Sequence, residues 1–220
     1  VKLTAGIIGI GAGLSLGREG PSIQLGAVTA QGVSRLMGRT RMEERYLLTS
    51  GASAGLAAAF NAPLAGVIFA LEELHRNFSI MVLLPSMAAA FTATIISRAI
   101  FGRATIFDIP DLQLLPISYY GIVILVALAS GLAGVIFNWG LLNIGRFYSL
   151  PCFKRPVQKI AFALICAGIL GYFLPEVLGG GNDLINHLAK APVSLQLLLI
   201  FLAGKLIFTL ISYGCGVPGG

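Results

Sequence analysis

Long stretches without a charged residue are the feature that most restricts what this chain can fold into. Three of them, Leu47–Leu71, Asn77–Ser97 and Leu112–Gly145, run for 25, 21 and 34 residues. A helix needs about 20 apolar residues to cross a bilayer, so each stretch is long enough for one crossing. Charged residues make up only 11% of the chain, against about 25% in a soluble domain. The sequence therefore predicts an all-α, multi-pass integral membrane protein.

Glycine and proline divide these apolar stretches into predicted helices, several of them short. The period-2 alternation of strands is absent from the sequence, and the shorter segments suit tilted, broken or re-entrant helices. Small residues at helical spacing, such as Gly51 with Gly55 and Gly131 with Gly134, predict close helix packing. The predicted helices are 2–15, 21–37, 42–60, 63–75, 80–101, 117–149, 155–174, 182–189 and 194–213.

The net charge of +6 does not indicate a nucleic-acid partner, because the basic residues do not form one patch. They lie in groups between apolar runs, which is typical of loops on a polytopic membrane protein. His75 and His187 are isolated, and the cysteines form no CxxC pair, so we expect neither a metal nor a cofactor. The basic groups are Arg35, Arg39, Arg41 and Arg45; Arg98 and Arg103; and Arg146, Lys154, Arg155 and Lys159.

One carboxylate interrupts apolar sequence in the stretch GREGPSIQLG, residues 17–26. An ionisable residue at membrane depth is costly and usually functional. Gly20 and Pro21 predict a helix start, with Gly20 as N-cap and Pro21 as first residue. The free N–H groups of such a start, with the helix dipole, attract anions. The Glu19 carboxylate and a diffusible anion could therefore compete for one site, and protonation would release the carboxylate. The alternative is that Arg18 and Glu19 pair with neighbours at a membrane surface.

The last residues of the sequence repeat this pattern. An apolar segment again leads into a glycine-rich turn, GVPGG at 216–220. Two such turns suggest an internal repeat, and broken helices in corresponding halves are typical of transporter sites.

Three motifs resemble the CLC family of chloride channels and chloride/proton exchangers. They are GREGPSIQLGA (17–27), GASAGLAAAFNAPLAGVIFALEEL (51–74) and GVPGG (216–220). The resemblance implies two inverted repeats of tilted and broken helices, and assembly as a homodimer. It also implies a central slice of that membrane domain, an incomplete fragment. Residues 1–110 would then be the latter part of the first repeat, and 111–220 the first part of the second.

The resemblance also implies roles for individual residues. Glu19 matches the external gate and proton acceptor, and Glu73 matches the internal proton-transfer glutamate of the exchangers. Glu72 would be structural. The alternative is that both carboxylates are solvated charges at a helix end beside Arg76. The expected anion-binding residues are Gly17, Arg18, Glu19, Gly20, Pro21, Gly216, Val217, Pro218 and Gly219.

Four functions remain open on the sequence. The first is chloride/proton antiport across a lipid bilayer, which we expect to be a bacterial plasma membrane. A passive, voltage-gated type of chloride channel with the same fold is the second, and a fluoride/proton antiporter is a third. The fourth is a membrane scaffold without transport. The sequence has no nucleophile–base set, so we do not expect an enzyme.

Overall fold

The computed structural model describes residues 2–102, 116–190 and 193–219, and in these ranges the regular secondary structure is helical. Most of the predicted helices are confirmed to within two residues at each end. The helices are α1 (Lys2–Gly11), α2 (Glu19–Leu36), α3 (Arg41–Phe60), α4 (Pro63–Phe69) continuing as a π-helix (Ala70–His75), α5 (Ile80–Phe101), α6 (Tyr120–Phe147), α7 (Pro156–Phe173), α8 (Asn182–Lys190) and α9 (Leu195–Gly214).

The first helix is shorter than the sequence predicts. It ends at Gly11 instead of residue 15, because Gly13 has a φ of 84°, a left-handed conformation that glycine adopts freely. Leu14 and Leu16 then leave the helix and are almost fully buried. The chain thus reaches the GREGP motif through a buried irregular segment, which the apolar composition alone does not distinguish from helix.

The chain divides into two compact units. The first consists of Val1–Gly6, Gly17–Ile106 and Pro218–Gly220, and the second of Ile7–Leu16 and Phe107–Val217.

In the first unit, α2 and α3 pack backbone against backbone. A Cβ on Gly26 would overlap the carbonyl oxygen of Gly51, and one on Gly55 would overlap that of Ser22. Close packing at Gly51 and Gly55 is therefore confirmed, as expected for membrane helices that associate through small residues. For Gly131 and Gly134 close packing stays a prediction, since a Cβ on either would meet no described atom within 4 Å.

In the second unit, the core lies around Tyr148 and Phe208, which are 2% and 0% exposed. The Tyr148 hydroxyl donates a hydrogen bond of 2.9 Å to the Ile211 carbonyl oxygen, so this buried phenol has the partner it requires. Ser15 joins the same core: its backbone N–H donates to the Ser212 hydroxyl at 3.1 Å.

Among the described residues, four helical segments are long and apolar enough to cross a membrane. Helix α6 leaves no side chain fully buried, although its sequence is almost entirely apolar. Such a surface needs an apolar surrounding, because exposed apolar patches of this size are rare on soluble proteins. The four segments are Ile80–Phe101, Ile117–Phe147, Pro156–Phe173 and Leu195–Gly214.

Candidate functional site

The GREGP motif forms the beginning of α2, but two residues earlier than the sequence predicts. The helix starts at Glu19 with Arg18 as its N-cap, so Gly20 is not the N-cap and Pro21 is the third helical residue. Proline is tolerated there because the first N–H groups of a helix have no intrahelical acceptor. Glu19 itself therefore lies in the first turn, half-buried, at the positive end of the helix dipole.

Arg18 contacts the C-terminal end of another helix. Its Nη2 donates to the Ala59 carbonyl oxygen in the last turn of α3 at 3.3 Å. The Ser22 hydroxyl donates back to the Arg18 carbonyl at 2.8 Å, which stabilises the first turn of α2. Among the described residues, neither Arg18 nor Glu19 belongs to an ion pair.

Two of the family motifs meet at Gly6 in α1. A Cβ on Gly6 would lie 3.4 Å from the Pro218 carbonyl oxygen and 3.7 Å from Cγ of Pro21. Pro21 and Pro218 thus flank the same point of the chain, although 197 residues of sequence separate them. The structure thus brings together one residue of GREGP and one of GVPGG.

The turn GVPGG follows the end of α9 at Gly214. Gly216 has a φ of 83°, so a glycine is required where the chain leaves the helix. Val217 belongs to the second unit, where its Cγ1 lies 2.6 Å from a Cβ built on Gly9. Pro218 and Gly219 belong to the first unit with Glu19. The remaining predicted anion-binding residue, Gly17, is half-buried just before α2.

A sharp turn between α3 and α4 lies at the same end of the first unit as Glu19. Asn61 ends α3 in the left-handed conformation with a φ of 55°, and Pro63 begins α4. Arg98, near the end of α5, donates from Nε to the Asn61 side-chain oxygen at 2.6 Å and from Nη2 to its carbonyl at 3.4 Å. These bonds hold the turn. Arg98 and Asn61 are 37 residues apart, so no local sequence pattern predicts their pairing.

Glu73 lies at the other end of this helical hairpin. The predicted helix 63–75 is present, but its last six residues form a π-helix, a rare variant that is frequent at functional sites. Arg76 ends it with a left-handed φ of 52°. Glu72 and Glu73 are both exposed.

Glu19 and Glu73 therefore lie at opposite ends of the first unit. The rings of Tyr46, early in α3, and His75, at the end of the π-helix, are 5.8 Å apart, so the hairpin returns to the level at which α3 begins. The Arg18–Ala59 bond places the start of α2 beside the far end of α3. Ala59 and Tyr46 are 13 residues apart on α3, so about 20 Å separates the two levels at ~1.5 Å per residue.

Lys205 is a residue whose importance the sequence reasoning missed. Its Nζ donates to the carbonyl oxygens of Val177 at 2.9 Å and Gly179 at 2.6 Å. The Gly179 N–H in turn donates to the Gly13 carbonyl at 2.9 Å, so Lys205 supports the segment that follows α1. The signal was present, because Lys205 is the only charge in the apolar run of α9, and such a residue is costly unless it has partners.

Comparison with known sequences gives one consistent picture. The family model described as voltage gated chloride channel matches residues 1–220. The H(+)/Cl(-) exchange transporter ClcA of Citrobacter koseri is 36% identical over 229 residues, covering 100% of this chain and 48% of the relative. The transporter of the same name from Vibrio cholerae is 33% identical over 227 residues, with the same coverage. The chain spans about half the length of the curated relatives it matches.

Solved structures agree with the sequence comparison. A slow cyanobacterial Cl-/H+ antiporter is similar with a TM-score of 0.81 and 30% identity, over 96% of this chain and 50% of that protein. A CLC-type fluoride/proton antiporter is similar with a TM-score of 0.72 and 30% identity, over 94% and 52%. On this evidence the chain belongs to the CLC family of voltage gated chloride channels and chloride/proton exchangers, and it has the all-α membrane fold of that family.

Proposed function

We propose that the full-length protein containing this chain exchanges chloride for protons across a membrane. The observation that carries the proposal is the placement of two carboxylates, Glu19 and Glu73, at opposite ends of one compact unit. A proton that crosses a low-dielectric region needs groups that can hold it at both sides. Similarity to named H(+)/Cl(-) exchange transporters supports this reading over a scaffold without transport.

In this proposal, the start of α2 is the outer anion site. The N–H groups of Glu19 and Gly20 lie in the first turn, where they have no intrahelical acceptor. Chloride and the Glu19 carboxylate compete for this positive end of the helix. Protonation removes the charge of the carboxylate, which then yields the site to chloride. Gly17, Arg18 and Pro21 shape this turn, and Pro218 adjoins it at Gly6; Gly216, Val217 and Gly219 keep the anion-binding role that the motif match gives them.

Glu73 is the proposed inner proton group. It lies at the same end of the first unit as the basic turn between α2 and α3, because His75 contacts Tyr46. Loops rich in arginine favour the cytoplasmic side, so Glu73 would exchange protons with the cytoplasm. Glu72, on the same π-helix, has no transport role in this proposal. We further propose a homodimer in a bacterial plasma membrane, with residues 1–110 and 111–220 as parts of two inverted repeats, and no enzymatic activity.

Proton pumping by the full-length protein in vesicles tests this function. With chloride as the only gradient, an exchanger must move protons uphill, and a pH electrode outside the vesicles would record the movement. Chloride flux without proton movement would instead identify the passive channel with the same fold. Proton movement with a fluoride gradient but not with a chloride gradient would favour the fluoride antiporter, to which one similar structure belongs.

A further inference from the structure

A basic cleft lies between the end of α2 and the beginning of α3, remote from Glu19. Its volume is about 770 Å³. Three arginines line it, Arg35 from α2 and Arg41 and Arg45 from α3, together with one carboxylate, Glu44. Three guanidinium groups against one carboxylate leave the cleft with an excess of positive charge.

The one carboxylate in the cleft is already engaged. The Gln31 amide donates to Oε1 of Glu44 at 2.8 Å, and Nε of Arg35 donates to the same oxygen at 3.1 Å. In the part of the chain that the structure describes, no carboxylate oxygen lies within 4 Å of a guanidinium nitrogen of Arg41 or Arg45. Glu44 attracts Arg41 only at longer range, so both cations line the cleft without a salt-bridge partner among the described residues.

The positions of Arg41 and Arg45 oppose the stability of α3. Arg41 is the first residue of the helix, where the dipole favours negative charge. Arg45 follows four residues later, and like charges at that spacing repel. The helix start is instead stabilised by Thr40, whose hydroxyl accepts from the Glu43 N–H in a capping box. Two arginines that fold stability does not require indicate an anionic ligand.

The cleft lies at the end of the first unit that carries most of its arginines. Arg39 and Arg76 lie at this end together with the three cleft arginines. Among the described residues of the first unit, the opposite end has two arginines, Arg18 and Arg98. This asymmetry places the cleft on the cytoplasmic side, whose leaflet carries the anionic lipids.

Apolar side chains next to the cleft suit the acyl region of a lipid. Leu36 at the end of α2 is 90% exposed, and Met37 and Met42 in the adjoining turn are also exposed. A soluble anion would make no favourable contact with these apolar side chains, whereas a lipid presents a phosphate and hydrocarbon together. The planar guanidinium group matches phosphate oxygens in a bidentate manner.

We propose that this cleft binds the phosphate of an anionic phospholipid from the cytoplasmic leaflet, with Arg41 and Arg45 as the principal donors. The site is distinct from the anion pathway at Glu19. It does not depend on whether the protein is an exchanger or a channel, because none of the observations behind it involves a transport role of Glu19 or Glu73.

Lipid binding to the purified full-length protein tests the proposal. The protein in dodecyl maltoside is titrated with phosphatidylglycerol, and bound lipid is counted by native mass spectrometry. Each arginine near an anionic surface is worth about fivefold in affinity, so the double variant Arg41→Gln/Arg45→Gln should raise the Kd of the tightest site roughly 25-fold. The control is Arg39→Gln/Arg76→Gln, which removes the same charge at the same end but outside the cleft and should raise the Kd of this site clearly less than the cleft variant does.

Two further probes distinguish binding of an anionic lipid from binding of a zwitterionic lipid or of a soluble phosphate compound. Phosphatidylcholine, which has the phosphate but no net charge, should bind the wild-type site much more weakly than phosphatidylglycerol. Glycerol 3-phosphate, which has the phosphate without acyl chains, should not displace the lipid at equal concentration. An unchanged Kd in the cleft variant, with circular dichroism showing both variants folded, would overturn the proposal. So would equal binding of phosphatidylcholine, or displacement by glycerol 3-phosphate, which would make this a site for free phosphate compounds.

Discussion

The rings of Tyr46 and His75 lie 5.8 Å apart, and this contact closes the hairpin formed by α3, α4 and the π-helix. It returns the chain to the level of Tyr46, near the beginning of α3, while the start of α2 lies beside Ala59, about 20 Å further along α3. Glu73, two residues before His75, is thereby held at that end of the unit. The separation of the two carboxylates thus follows from one helix length and one aromatic contact.

Replacing Gly26 by alanine should destabilise the first unit. The new Cβ would overlap the carbonyl oxygen of Gly51 on α3, and backbone atoms cannot move aside as a flexible side chain can. Overpacking of this kind costs about 1–3 kcal/mol. Thermal unfolding of the full-length protein in detergent, followed by circular dichroism, would measure the loss.

Gly32 on the same helix is the matched control for Gly26. A Cβ there would meet no described atom within 4 Å, so Gly32→Ala should be neutral or stabilise by up to about 1 kcal/mol through helix propensity. Equal unfolding temperatures for the two variants would show that α2 and α3 are not in close contact at Gly26.

The beginning of α3 should lose stability in acid. The Thr40 backbone N–H donates to Oε2 of Glu43 at 2.9 Å, and this bond, followed by that from the Thr40 hydroxyl, holds the pKa of the Glu43 carboxyl below its usual value. In the unfolded chain the Glu43 carboxyl has a pKa of ~4.3. The stabilisation is therefore complete above that pH and is lost as the pH falls through the lower, folded pKa.

The comparison of wild type with Glu43→Ala measures this effect. At pH 7 the wild type should unfold at the higher temperature, and the difference should shrink as the pH falls below about 4. A difference that stays constant from neutral pH to pH ~3 would mean that the capping carboxylate contributes nothing through its charge.

The long helices were predictable because their signals are local, whereas the features that define the site are not. Thr40 and Glu43 mark the start of α3 by adjacent capping chemistry, and Pro63 marks the start of α4. No local sequence pattern predicts that Gly6 lies between Pro21 and Pro218, since such contacts depend on how distant segments pack.

Conformational details within the motifs could not be predicted from the sequence either. The start of α2 at Glu19 depends on the Arg18 carbonyl accepting from the Ser22 N–H and hydroxyl, whereas the Gly-Pro pair favours a later start. The π-helix at Ala70–His75 has the same composition as an α-helix and gives no periodic signal of its own. Glu19 and Glu73 could be named from motifs, but their placement at opposite ends required the fold.

Removing the charge of Glu19 should uncouple chloride from protons. In the proposed mechanism Glu19→Gln resembles the protonated gate, so chloride should still cross while chloride-driven proton movement disappears. The dependence of chloride flux on external pH should flatten, because the titrating group at the start of α2 is gone. Chloride flux and pH would be recorded on the same vesicles, and a variant that still pumps protons would show that Glu19 is not the gate.

The most direct test of the account is proton uptake driven by chloride in vesicles that contain Glu73→Gln, with Glu72→Gln as the matched control. Both variants remove one exposed carboxylate from the same π-helix, so general effects on charge and folding are equal. We expect the wild type and Glu72→Gln to drive protons uphill, and Glu73→Gln to conduct chloride without moving protons. Normal proton pumping by Glu73→Gln would contradict the account, because Glu73 would then be only a solvated charge at a helix end.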